Sequence, residues 1–386
     1  FENINFNGKG VGVISLDGSE STVIDGSQNE TSVVTFNSGE TDVARLIGFM
    51  VANGSANQGG GIHISSGSSP LIQNCDIVDN SGSWGGGIFS QDASPTIMHC
   101  YIANNISDNQ NSSGGGIYLS RSNAVIGSCE IINNSATIFG GGIAIEECQS
   151  PEIFETVLSG GSAGSGGGIY VSYGSDPFIH GCQIINNSSS WGGGGFMFTS
   201  SSGTIEYCLI ADNVANGGDG GGVKVELQST PVFNNCTFVG NTSSAGGGLS
   251  SYASTTVATN SIFWNNQPDQ VANWGDNSGF GSTSVSYSDV QGGYEGEGNF
   301  NANPEFCNAS NDGYTISENS PCLGAGQDGA DVGFSGAECA EPYNNYSLSF
   351  DGDDDYVDFG NDDSFNFGTG DFTIEAWINP TSASQN

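Results

Sequence analysis

Positive charge is almost absent from this chain. Its 386 residues include four lysines and arginines in all, Lys9, Arg45, Arg121 and Lys224, against 42 acidic residues, for a net charge of −38. Such a surface repels nucleic acid and anionic membranes, so neither is expected as a partner. The same shortage removes the basic groups that would hold a polyuronate and abstract its proton, which argues against a lyase of acidic polysaccharides. No apolar stretch approaches the roughly 18 residues of a membrane-spanning helix. Neither a heptad nor a 3.6-residue apolar period appears, which leaves helices without support. C-x-x-C pairs are missing as well, so the cysteines do not read as a zinc site.

What the chain has in excess is glycine, 62 residues of it, and the glycines are periodic rather than dispersed. "GGGIHISSGSSPLIQNCDIVDN" begins at Gly59, and "GGGIFSQDASPTIMHCYIANN" and "GGGIYLSRSNAVIGSCEIINN" follow it. The third glycine falls at Gly61, Gly87, Gly116, Gly142, Gly168, Gly195, Gly222 and Gly248, at intervals of 26, 29, 26, 26, 27, 27 and 26 residues. A fixed period of this size must be read as one repeat before any single motif is interpreted. Between triplets lie three short stretches with apolar positions two apart, the period of a strand with one buried face. Three short strands in about 26 residues make one coil of a parallel β-helix, whose copies stack about 4.8 Å apart.

Stacking predicts columns of like residues. One column is Cys75, Cys100, Cys129, Thr156, Cys182, Cys208, Cys236, Ser261; its inward neighbour is Ile77, Ile102, Ile131, Leu158, Ile184, Ile210, Phe238, Phe263. Another is Asn80, Asn105, Asn134, Gly161, Asn187, Asn213, Asn241, Asn266, a candidate ladder of amide-to-amide hydrogen bonds. Asparagine is also expected there because a sharp corner demands positive φ. The triplet is expected to turn the chain where a Cβ would strike the coil above. With less regular coils at either end, about ten coils span 1–290 as a rod about 50 Å long.

GGG-[IV] followed by [IF]-x-x-N resembles the GGA-[ILV] and F-x-x-N repeats of chlamydial polymorphic outer-membrane proteins and of bacterial right-handed β-helix surface proteins. "FVGN" (238–241) and "FWNN" (263–266) match the second motif fully, whereas the third glycine replaces the family's alanine. The resemblance covers about 1–290 and implies an all-β, right-handed parallel β-helix with an adhesive or structural role on a bacterial surface. Residues 291–341, with "NPEFC", "SPC" and a final cysteine, resemble the segment that closes many secreted β-helix proteins. One disulfide is expected among Cys307, Cys322 and Cys339, with Cys307 and Cys322 the preferred pair. Residues 342–386, "SLSFDGDDDYVDFG" through "FTIEAW", resemble the first strands of a laminin-G/concanavalin-like jelly roll, cut short. That likeness implies glycan binding beside Ca²⁺. Asp351, Asp353, Asp354 and Asp355 are then candidate Ca²⁺ ligands, or else a solvated hairpin. Both ends of the chain read as interior sequence, so an export segment or anchor is expected beyond them.

Candidate chemistry on the rod is sparse. Stacked cysteines point their Cβ atoms the same way, a poor geometry for disulfides, so Cys75, Cys100, Cys129, Cys182, Cys208 and Cys236 are expected to be buried, reduced fillers. Hydrolysis would need carboxylates paired on adjacent rungs; Glu146, Glu147, Glu155, Glu206 and Glu226 form no motif, and His63, His99 and His180 fall in separate coils without partners. Trp84, Phe139 and Trp191 precede glycine runs in alternate units. In one file they would sit about 10 Å apart, a disaccharide step, and would either stack on a glycan or cover bare glycine backbone. Sequons such as Asn105, Asn187, Asn235 and Asn241 arise by chance in a chain this rich in Asn, Ser and Thr. The leading expectation is a secreted or cell-surface adhesin or scaffold whose partners are glycans or other matrix components. The alternatives are a polysaccharide-degrading enzyme on the same scaffold, or a filament subunit joining through its end rungs.

Overall fold

A computed structural model describes residues 3–27, 30–276, 279–307 and 314–339, with backbone alone at 276 and 337–339. The jelly-roll segment, including Asp351, Asp353, Asp354 and Asp355, lies outside the described residues.

One repeat shows how the sequence makes its elements. Ile62–Ile64 follows the glycine triplet, the chain bends at Gly67 into Leu71–Gln73, bends at Asn74 into Asp76–Val78, and turns at Asp79 into Ser81–Trp84. Each of these strands pairs in parallel with its equivalents one repeat away. The result is an all-β solenoid of about 11 turns. Its faces are sheets of 12, 11, 11 and 7 strands, here named first to fourth in the order the chain visits them. The fourth sheet corrects the expectation of three strands per coil. Its segments read "SANQ", "SGSW" and "SAGS", which are too small and polar to show an apolar alternation.

The core is a set of vertical files. Val51, Ile77, Ile102, Ile131, Leu158, Ile184, Ile210, Phe238 and Phe263 are in direct register from rung to rung. All are at most 1% exposed, and each contributes about 2 kcal/mol through burial. The triplet closes each rung against the next. Gly85 has φ +65°, and a Cβ on Gly86 would lie 2.5 Å from the carbonyl oxygens of Gly115 and Ile106.

Corners are held by side chains that accept the backbone N–H of the preceding rung. Asn105 Oδ1 accepts from Asn80 N and Nδ2, both at 3.0 Å, while Asn105 Nδ2 donates to Ile77 O at 2.8 Å. The same pattern runs through Asn134, and again from Asn187 through Asn213, Asn241 and Asn266, where Gln270 Oε1 ends it. At rung 161 the chain passes too close to the triplet for a side chain: a Cβ on Gly161 would lie 2.4 Å from Gly167 O. Positive φ belongs not to the ladder asparagines but to the residues before them, Asp79, Asn104, Asn133, Asn186, Asp212 and Asn265.

The cysteine column obeys the same rule. Cys100 N donates to Cys129 Sγ at 3.4 Å, Cys129 N to Thr156 Oγ1 at 3.3 Å, and Cys236 N to Ser261 Oγ at 3.1 Å. Thiol and hydroxyl are interchangeable here because both accept that bond. Cys75, Cys100, Cys129, Cys182, Cys208 and Cys236 are free and at most 2% exposed. Burial pushes Cys236 up to about 12. Cys148 sits in a second, serine-rich column at the corner between the first and second sheets, accepting from Ser122 N at 3.3 Å and donating to Ser175 Oγ at 3.0 Å through its own N–H.

Residues beyond 290 do more than close the end. Asn299 reaches back to Val285 O at 2.9 Å and Phe300 pairs with Asp289, which covers the last rung. Phe306–Cys307, Thr315–Ser317 and Ala337–Cys339 then form a small sheet. This segment, a strap, lies along the outer face of the third sheet: Tyr314 Oη donates to Asp212 at 2.7 Å and Gly333 N to Asn260 O at 2.8 Å. It buries Leu209, Ala211, Val239 and Ile262. The preferred disulfide is overturned here. Cys307 is disulfide-bonded, but Cys322 is a free thiol of the strap, fully buried against the third sheet.

Two measurements check this architecture. Asn213→Ala strips the acceptor from Asn187 N and Nδ2, so chemical denaturation should show a loss of about 3 kcal/mol; under 1 kcal/mol would mean that the amide ladder does not hold the rungs. Ellman's reagent should reach none of the eight free cysteines within minutes in the native protein and all eight after denaturation.

Candidate functional site

Outward-facing residues form files as regular as the inward ones. On the first sheet the central outward file is His63, Phe89, Tyr118, Ala144, Tyr170, Met197, Lys224. Beside it run Gln91, Ser120, Glu146, Ser172, Thr199, Glu226. On the other side, where the fourth sheet meets the triplets, the file is Gln58, Trp84, Ser113, Phe139, Ser165, Gly192, Asp219. The corner brings the three files together as one strip along the rod.

Trp84 and Phe139 share a file, two rungs or about 10 Å apart. Trp191 does not. A register shift between Ala163 and Ser165 puts Gly192 in the file instead, and Trp191 is turned outward, 53% exposed. Its ring lies over Gly164, where a Cβ would come within 2.6 Å of it. Phe139 and Trp84 pack against the buried Phe89, Tyr118, Ala144, Tyr170 and Met197. Rings stack along the axis, Phe139 on Tyr170 at 4.2 Å and Phe89 on Tyr118 at 5.6 Å. Their faces are therefore largely occupied by one another, and Trp191 presents the most open ring of the three.

The strip's polar centre is Glu146. Tyr118 Oη donates to its Oε2 at 2.8 Å and Ser113 Oγ to its Oε1 at 3.4 Å. Burial raises the carboxyl above its ordinary range, and these two hydrogen bonds oppose the rise. The Tyr118 and Tyr170 hydroxyls are pushed up chiefly by burial, Tyr170 to about 12. Farther along, Lys224 pairs with Glu226 at 3.3 Å. Adjacent rungs place Ser120 and Ser172 on either side of Glu146 in its file, and the next carboxylate there, Glu226, stands three rungs or about 14 Å away, too far for two-acid hydrolysis.

The remaining acidic residues scatter. Glu147 turns to the opposite corner, where Arg121 bonds it at 3.2 Å and bridges to Asp92 at 2.8 Å. Ser128 donates to Glu155 and Asn234 to Glu206, each at 3.1 Å. His180 is not without a partner: Glu152, on the rung before, lies 3.3 Å from Nε2, and the Phe178 ring stacks on it at 4.6 Å. Reading along the chain misses this pair, which lies 28 residues apart. A shallow depression of ≈ 240 Å³ on the third sheet is lined in part by Asp76, His99, Tyr101 and Glu130. Among the described residues no three His, Cys, Asp or Glu side chains come close enough to hold a metal ion, and no helix is long and apolar enough to cross a membrane.

No curated protein matches this chain. The family described as "Right handed beta helix region" matches it over residues 1–165 and 137–286. That family holds both enzymes, pectate lyases and hydrolases among them, and proteins without catalytic activity. Coils in axial register, four parallel faces and a match across most of the sequence lead to one assignment: the chain belongs to the right-handed β-helix family.

Proposed function

We propose that this protein is a secreted or cell-surface scaffold whose rod carries a carbohydrate-binding strip from Trp84 to Glu226. The observation that carries the reading is the convergence of aromatic edges, the exposed Trp191 ring and the Tyr118–Glu146 pair along one corner. Aromatic rings take the apolar faces of sugars, and paired carboxyl and hydroxyl groups take their hydroxyls. A net charge of −38 with one half-buried lysine in the strip disfavours polyanions, so the expected ligand is a neutral glycan. The likeness of residues 342–386 to a jelly roll points the same way, toward adhesion.

A polysaccharide-degrading enzyme is the second reading, and Glu146 favours it. A half-buried carboxyl with a raised pKa is the kind of group that serves as a general acid.

A panel of neutral polysaccharides in affinity electrophoresis separates the two. Trp191→Ala should weaken retardation by about 5- to 10-fold with the thermal midpoint unchanged, and wild type should release no reducing ends. Equal retardation of both proteins would defeat the binding reading. Reducing-end release that Glu146→Gln abolishes would establish the enzyme.

A further inference from the structure

Asp289 is the most deeply buried carboxylate of the described residues that has no basic partner. It sits in the last strand of the third sheet, in file with Ile262, and is 0% exposed. Two groups face its carboxyl. Ala302 N, from the segment that closes the last rung, donates to Oδ1 at 3.0 Å. Cys322 Sγ, from the strap, lies 3.5 Å from Oδ2 and is itself 0% exposed. Around them pack Ile262, Ile316, Val332, Phe300, Phe306 and Trp264. The carboxyl therefore stands where rung, end closure and strap meet.

Among the described residues, none there neutralises a charge. The chain has four lysines and arginines: Arg121 is held by Asp92 and Glu147, Lys224 by Glu226, and Lys9 and Arg45 belong to the first coils. Of the other acids nearby, Asp331 accepts from Gly324 N and Glu305 from Ser317 Oγ, and the Tyr314 hydroxyl is spent on Asp212. Among the described residues, Cys322 is the one titratable side chain that meets Asp289. Its thiol is pushed up to about 12, chiefly by burial, and so stays neutral.

We propose that the strap is a proton-operated latch: with its proton on, Asp289 keeps residues 314–334 closed over the third sheet, and loss of that proton to solvent releases them. The physical cause is desolvation. A neutral carboxyl is tolerated among these apolar side chains, whereas a carboxylate facing one amide and one thiol is not. Burial, partly offset by the Ala302 amide, lifts the group from 3.8 to about 6. The sign follows from linkage. Folded pKa exceeds open-state pKa, so the closed strap's advantage is complete below about pH 4 and is lost as pH rises through about 6. Each pKa unit is tenfold, so opening is favoured by up to about 100-fold across that window. Opening uncovers Leu209, Ala211, Val239, Ile262 and Trp264, an apolar face on an otherwise polar rod.

Hydrogen exchange read by mass spectrometry, corrected for the intrinsic pH dependence of exchange, tests the latch on the intact protein. Between pH 4.5 and 7.5, protection of peptides within 314–334 should fall by about 20- to 30-fold, while peptides from the central rungs at 169–185 hold theirs. Asp289→Asn should keep the strap protected at both pH values. Cys322→Ser, which offers the carboxylate a stronger donor, should move the midpoint to lower pH. Strap protection that ignores pH in the wild type, a uniform loss along the whole rod, or an Asn variant that titrates as the wild type does would each overturn the proposal.

Discussion

Axial register is the constraint on which this molecule rests. From rung to rung a strand bonds to the same strand of the next coil, so a residue is surrounded above and below by its own counterparts. At the faces this demands little beyond alternation. At the corners, where the chain turns and backbone N–H groups point along the axis, each buried donor must find an acceptor on the next rung. Asparagine, serine, threonine and cysteine are there because each supplies one. The columns are hydrogen-bond relays first and fillers second, which is why Thr156 and Ser261 replace cysteine without breaking the stack.

The same logic explains which parts of the fold could be read from the chain. Ile77, Ile102 and Ile131 announce themselves because a large apolar residue recurring at a fixed period has one cheap explanation, and their register is as expected. The fourth sheet leaves no such trace, since its inward positions are Gly82, Ala136 and Ala163, too small to mark a period. Asparagine was legible as a ladder but not in its conformation: the residue before it takes the positive φ, leaving the ladder residue's side chain aimed along the axis. Cys148 escaped because its column is otherwise serine, and Cys322 because the chain bends back over the third sheet instead of staying at the end.

The candidate site was legible only in fragments. Trp84 and Phe139 could be placed in one file by counting, but a one-residue bulge ejects Trp191, and a bulge has no signature in a glycine- and serine-rich segment. Glu146 carried no motif. Its importance comes from Tyr118, one rung away and 28 residues earlier, and from Phe139 and Tyr170 closing over the neighbouring Ala144. Chemistry on a solenoid is assembled across rungs, so spacing within a rung, where motifs are sought, says little about it.

Inward and outward files of one strand also answer to different pressures. An inward change disturbs two neighbouring rungs and the register of the whole stack, whereas an outward change meets its own file and solvent, as in the strip of Phe89, Tyr118 and Tyr170. Function is therefore free to vary along the outer strips while the relays stay fixed. The strap is the exception that links them. It covers outward positions of the third sheet, yet it is fastened through Asp289 to the last rung and to the segment that closes it. Without a nearby cation, a buried carboxylate stays charged only where several donors converge, as Gly8 N, Ser38 N and Ser68 Oγ do on Glu40, whereas Asp289 is met by one amide and one thiol. At that junction the composition of the whole chain, not a local motif, makes the fastening sensitive to pH.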